Sequence, residues 1–143
     1  MCKKKKKEGH TAAATTRDIW YLGTMATVMD AEMLGIAMGW SKQKKVATGS
    51  QGGIGRIMRM RDDRPRSWIE ELVIKMQRGG KEIVWVKAHS GIPGNEYADY
   101  KAREAAYMGS STHQPQTSTP AGIRQHFCVH VIPLIPSYTV ITE

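Results

Sequence analysis

The sequence predicts an α/β domain, and three observations carry that prediction. Short β-branched or aromatic runs alternate with segments of helical period, and Gly, Ser or Pro punctuates the changes. The 143 residues, 41% of them hydrophobic, suffice for one core and fall short of two ordinary domains. We expect the domain over residues 9–107, a basic arm at 1–8, and a Ser/Thr/Pro-rich linker with an apolar tail over 108–143.

Each element has its own signal. "DIWYLG" (18–23) reads as a strand that stops at Gly23. From Thr24 to Trp40 the spacing of Met25, Met29, Met33, Ile36 and Trp40 places them on one face of a helix. "KKVAT" (44–48) is a short strand broken by "GSQGG", and a short helix follows through Ile54, Ile57 and Met58. Ser67 stands three residues before Glu70, a capping-box spacing, and opens a helix with Trp68, Leu72 and Met76 on one face and Gly79–Gly80 as its stop. "EIVWVKA" (82–88) is rich enough in Val, Ile and Trp to be a buried strand, and "EYADYKAREAA" is a helix with a small face at Ala98, Ala102 and Ala105. The final "FCVHVIPLIPSYTVITE" is apolar, but Pro133 and Pro136 confine it to an edge strand or a sticky tail.

Charge narrows the partners. A net charge of +8 favours anionic ligands, nucleic acid before membrane, because no stretch reaches the ~18 apolar residues of a spanning helix. Much of it lies in Lys3–Lys7, which reads either as a solvated arm or as a nuclear address or phosphate-binding arm. The start lacks the apolar segment of a secretory signal, so an intracellular protein of nucleus or cytoplasm is expected. Cys2 and Cys128 have no CxxC or Cys/His spacing and support neither a disulfide framework nor a zinc site.

Chemistry concentrates in three places. Glu32 falls between Val28 and Ile36 on the apolar face of its helix, where a carboxylate is costly unless it is paired, bound to a cation or bent out to water. Asp99 lies beside Ala102 and Ala106, and is equally placed to complement the positive end of its helix. Between them in function stands the loop "KAHSGIPGNEYAD" (87–99), whose Gly91, Pro93 and Gly94 make a tight turn that Asn95 could cap. A tight turn alone does not account for His89 and Asp99 accompanying a half-buried Glu32.

"VWVKAHSGIPGNEYADYKAREAA" resembles the C-terminal signature of type 1 ribonuclease H, in which a strand ends near a histidine and leads through G-N-E-x-A-D into a last helix. "DAEMLGIAMGW" resembles that family's first helix with its glutamate, and "VATGSQGGI" its fourth strand and following turn, usually T-D-S-Q. The likeness covers roughly residues 9–107 and is closest to such domains in fungal non-LTR retrotransposon polyproteins.

The resemblance implies a mixed sheet flanked by helices, and a hydrolase that cuts RNA in RNA/DNA hybrids with two Mg2+ ions held by four carboxylates. Residue by residue, it implies Glu32 and Asp99 as metal ligands, His89 as a turnover histidine, and Ser50, Gln51 and Asn95 as nucleic-acid contacts. It also implies two losses. Gly49 stands where the family has its fourth-strand aspartate, and the first strand with D-G-S, central in the family's sheet, has no match here. The expectation is therefore nucleic-acid binding with little or no cleavage. A non-specific basic nucleic-acid-binding protein and a non-functional fragment of a decayed retroelement are the alternatives.

Overall fold

The computed structural model describes residues 11–15, 18–60, 67–109 and 117–126. The expected Lys3–Lys7 arm and the apolar tail after residue 126 lie outside them. The architecture is mixed α/β, with two separate two-stranded sheets and five helices among the described residues.

The first sheet is a hairpin. Strand β1 (Thr11–Ala14) runs antiparallel to β2 (Ile19–Gly23), pairing Ala12 with Tyr21 and Ala14 with Ile19. Thr15 closes the turn, its N–H donating to the Asp18 carbonyl (2.8 Å) and its Oγ1 accepting from the Asp18 N–H (3.1 Å). The pattern of the sequence pointed to β2 but not to β1, because "TAAA" has little intrinsic strand preference. Pairing with β2 makes it a strand.

Helix α1 (Val28–Lys42) is the centre of the molecule. It begins four residues later than its period suggests, because Gly23 is left-handed (φ 83°) and Thr27 sets the start with a full capping box. Thr27 Oγ1 accepts from the Asp30 N–H at 3.1 Å, and Asp30 Oδ2 accepts from the Thr27 N–H at 2.8 Å. The buried face is Met33, Leu34, Ile36, Ala37 and Trp40; Met29, expected on it, is partly exposed.

The second sheet pairs β3 (Lys45–Thr48) in parallel with β4 (Glu82–Trp85), Lys45 opposite Glu82 and Thr48 opposite Trp85. Gly39 lets β3 lie against α1, since a Cβ there would sit 2.8 Å from Val46 Cγ2, closer than real side chains come. Trp40 is 1% exposed and ties α1 to the start of β4, its Nε1 donating to the Glu82 carbonyl at 2.9 Å. Lys81 Nζ donates to the Trp40 carbonyl at 2.6 Å from the other side.

Two helices lie between β3 and β4 in the chain. Helix α2 (Gln51–Arg59) is capped by Ser50, and α3 (Trp68–Gln77) by Ser67, whose Oγ accepts from the Glu70 N–H at 3.2 Å. The Glu70 carboxylate is turned onto Arg56 of α2, clamping the two helices together. Helix α3 packs on α1 through Ile69 and Val73, both fully buried, so the expected Trp68 face is rotated outward and Trp68 is 45% exposed. Gly79 and Gly80 both take left-handed φ just beyond the helix end, as their position implied.

The strand expected over 82–88 ends at Trp85, and Val84 and Trp85 are exposed rather than buried. Among the described residues its sheet has two strands, so less of its surface is covered. Helix α4 (Pro93–Gly109) then returns to pack on β1 and β2. Part of the segment expected to be linker is structured: Thr119 is 1% exposed and begins α5 (Pro120–His126).

Thr119 Oγ1 donates to Asp30 Oδ2 at 2.7 Å, so one buried carboxylate closes the α1 cap and anchors the α5 segment. Replacing it by alanine strands the Thr27 and Thr119 groups. Asp30→Ala is expected to cost on the order of 2 kcal/mol in denaturant unfolding, with Thr119→Ala costing less. A loss below ~0.5 kcal/mol for Asp30→Ala would show that this node does not hold the cap and the α5 segment.

Candidate functional site: a slot between two strand edges

Strands β1 and β3 each have one strand neighbour among the described residues, so each keeps one edge without a strand partner. Both edges border a groove of about 1070 Å3. Helix α1 lines one side of it and α4 another.

Glu32, in the second turn of α1, reaches this slot half-buried and accepts a hydrogen bond from Ser50 Oγ. Ser50 Oγ also accepts from the Gly53 N–H at 2.9 Å, so one hydroxyl caps α2 and holds the Glu32 carboxylate. The charge that looked costly from sequence is thus paired by a neighbouring cap rather than merely bent into water.

The loop after β4 brings the second group of residues. His89 adopts left-handed φ (55°) and Gly91 follows with φ 77°, which reverses the chain into α4. His89 borders the slot with its side chain 72% exposed, and its Nδ1 lies 4.0 Å from Asp99 Oδ2. Asp99 Oδ2 is 2.8 Å from Arg103 Nη2 one turn on; the contact is ionic rather than a well-aligned hydrogen bond. Asn95 also borders the slot, with Oδ1 directed at Gly49.

Glu32, Ser50, His89, Asn95 and Asp99 therefore border one cavity, whereas Gln51 is exposed on the first turn of α2 outside it. Arg103 was not singled out from the sequence, although its i,i+4 spacing from Asp99 is a readable ion-pair signal. The Ser50–Glu32 bond spans 18 residues and has no local signature.

The donor set is a poor match for a pair of Mg2+ ions. Mg2+ requires near-octahedral oxygen coordination. Here three carboxylates border the slot, Glu32 bonded to Ser50, Asp99 paired with Arg103 and Glu104 accepting from Tyr100 Oη at 3.2 Å, and Gly49 offers none. Among the described residues no three His, Cys, Asp or Glu side chains gather closely enough to hold an ion. At Gly49 a Cβ would come 3.0 Å from Ala88 Cβ and 3.3 Å from Asn95 Oδ1, so a larger residue requires its neighbours to give way.

No protein-family model matches this sequence, and no curated protein matches it either. Among the described residues no helix is long and apolar enough to cross a membrane.

The double duty of Ser50 is testable. Ser50→Ala should cost about 1 kcal/mol by removing the α2 cap, while Glu32→Gln, which keeps an acceptor for the hydroxyl, should cost less than half of that. Equal losses in urea unfolding would mean that the Glu32 contact, not the cap, dominates.

Proposed function

We propose that this chain is a ribonuclease H-like domain that binds nucleic acid, RNA/DNA hybrid included, with little or no cleavage. The observation that carries the reading is the convergence of Glu32, Asp99, His89, Ser50 and Asn95, drawn from α1, α4, the β4–α4 loop and the α2 cap, on one slot. These are the positions at which the motifs resemble the family's, and random placement over four parts of the chain has no reason to gather them.

Binding rests on charge. The chain carries +8 overall, and Lys42, Lys45 and Arg103 border the slot alongside the carboxylates. Phosphate contacts by such groups give affinity that falls steeply with salt, ~0.9 log units per contact on a duplex for each log unit of salt.

The weakness of cleavage follows from the ligand count. An attacking water requires a general base or a metal to release its proton at neutral pH. Where the family has a fourth-strand aspartate this chain has Gly49, and no residue of the sequence matches the D-G-S aspartate. Asp99 is paired with Arg103 and lies 4.0 Å from His89 Nδ1, and Glu32 is held by Ser50.

The test is a labelled RNA/DNA hybrid titrated at several salt concentrations in Mg2+ or Mn2+, with Glu32→Gln in parallel. We expect salt-sensitive binding, a slope reduced by several units when Lys3–Lys7 are deleted, and no cutting beyond that of Glu32→Gln. Metal-dependent cutting lost in Glu32→Gln would show an intact catalytic centre. No binding at low salt would remove the nucleic-acid reading altogether.

A further inference from the structure

Two turns beyond the carboxyl ends of α1 and α3 form one basic surface, and we propose, resting on the nucleic-acid reading above, that it grips the phosphate backbone of a bound duplex without regard to base or sugar.

The fold brings the two turns together. The Glu82 N–H donates to the Lys44 carbonyl at 2.9 Å, and Lys81 Nζ donates to the Trp40 and Gln43 carbonyls at 2.6 and 3.3 Å. The Lys44 side chain lies 3.8 Å from where a Cβ on Gly80 would stand. Residues 41–45 and 78–82 are therefore neighbours in space, and they carry Lys42, Lys44, Lys45, Arg78 and Lys81 against one carboxylate, Glu82. Half of the chain's net charge of +8 thus sits on these two short segments, with every cation but the half-buried Lys81 exposed.

Local stability accounts for only part of that charge. Cations favour helix carboxyl ends, where the macrodipole leaves roughly half a negative charge. The ends of α1 and α3 together amount to about one charge, and Lys81 on the Trp40 and Gln43 carbonyls already answers that of α1. The Lys45–Glu82 pair at 3.8 Å has side chains 65% and 60% exposed, where an ion pair adds little. The cations left over repel one another. A polyanion relieves that repulsion and gains by releasing its own counterions.

Position agrees with charge. Lys42 and Lys45 border the slot, and Lys42 lies about 15 Å along α1 from Glu32. On a duplex that distance covers about four phosphates of one strand, so one bound duplex spans both places. Contacts to phosphate fix the position of a duplex and carry no sequence information.

The test measures salt-dependent binding of an RNA/DNA hybrid, a DNA duplex and an RNA duplex of equal length to the full chain. One variant combines Lys42→Gln, Lys44→Gln, Lys45→Gln and Arg78→Gln, sparing Lys81. A charge-matched variant combines Arg59→Gln, Lys87→Gln, Lys101→Gln and Arg124→Gln, and a third keeps the charge with Lys42→Arg, Lys44→Arg, Lys45→Arg and Arg78→Lys. The first variant is expected to weaken all three duplexes equally, at least about tenfold at low salt, with the salt slope reduced by about two units or more. The charge-matched variant should lose less than half as much, and the charge-keeping variant should bind as the wild type does. Equal losses in the first two variants, unequal losses among the duplexes, or a comparable loss in the charge-keeping variant would each overturn the proposal. Wild-type binding with a slope that the first variant leaves unchanged would overturn the basic grip alone, whereas no binding by the wild type would overturn the nucleic-acid reading with it.

Discussion

Two strand edges face one slot in this molecule, and among the described residues no strand lies between them. The constraint shapes everything else, because among the described residues no hydrogen-bonded ladder carries cohesion from the β1–β2 hairpin to the β3–β4 pair. That task falls to α1, which packs on β1, β3, α2 and α3. Its buried Met33, Leu34, Ile36, Ala37 and Trp40 meet Leu22 from the hairpin and Ile69 and Val73 from α3 in one cluster. Large apolar side chains buried this fully contribute ~1.5–3 kcal/mol each. The fold is a helix core with sheets attached to it, and the Trp40–Glu82 and Thr119–Asp30 bonds fasten its two ends.

The same gap positions the chemistry. Glu32 meets the slot because α1 forms one of its walls, and Asp99 because α4 forms another. Each carboxylate has taken a partner from its own surroundings, Ser50 in one case and Arg103 in the other. Such pairing offsets the cost of the half-buried charges, with Glu32 Oε2 held by Ser50 Oγ and Asp99 Oδ2 beside the Arg103 guanidinium.

Several features were legible in the sequence for definite reasons. Ser67 and Gly79–Gly80 bracket α3 because capping chemistry and left-handed glycines are local. The strands at Ile19–Gly23 and Lys45–Thr48 follow from short β-branched and aromatic runs. What escaped depended on distant partners. β1 is alanine-rich and is a strand only beside β2; α3 buries Ile69 rather than Trp68 because α1 meets that face; Thr119 looked like linker because its anchor, Asp30, is 89 residues away. The candidate residues divide likewise. Glu32 and Asp99 were visible as carboxylates on apolar or small faces, whereas the Ser50 bond that relieves Glu32 is set by tertiary geometry alone.

Residue-resolved native-state hydrogen exchange tests most directly whether α1 carries the fold. Amides that open only in global unfolding exchange slowest, and those in weakly held elements exchange at lower opening free energies. The account predicts that the slowest set lies on α1 from Met33 to Trp40, with every amide of β1 through β4 opening at lower free energy. A slowest set located in the strands, with α1 exchanging ahead of them, would contradict it and place the core of the molecule in its sheets.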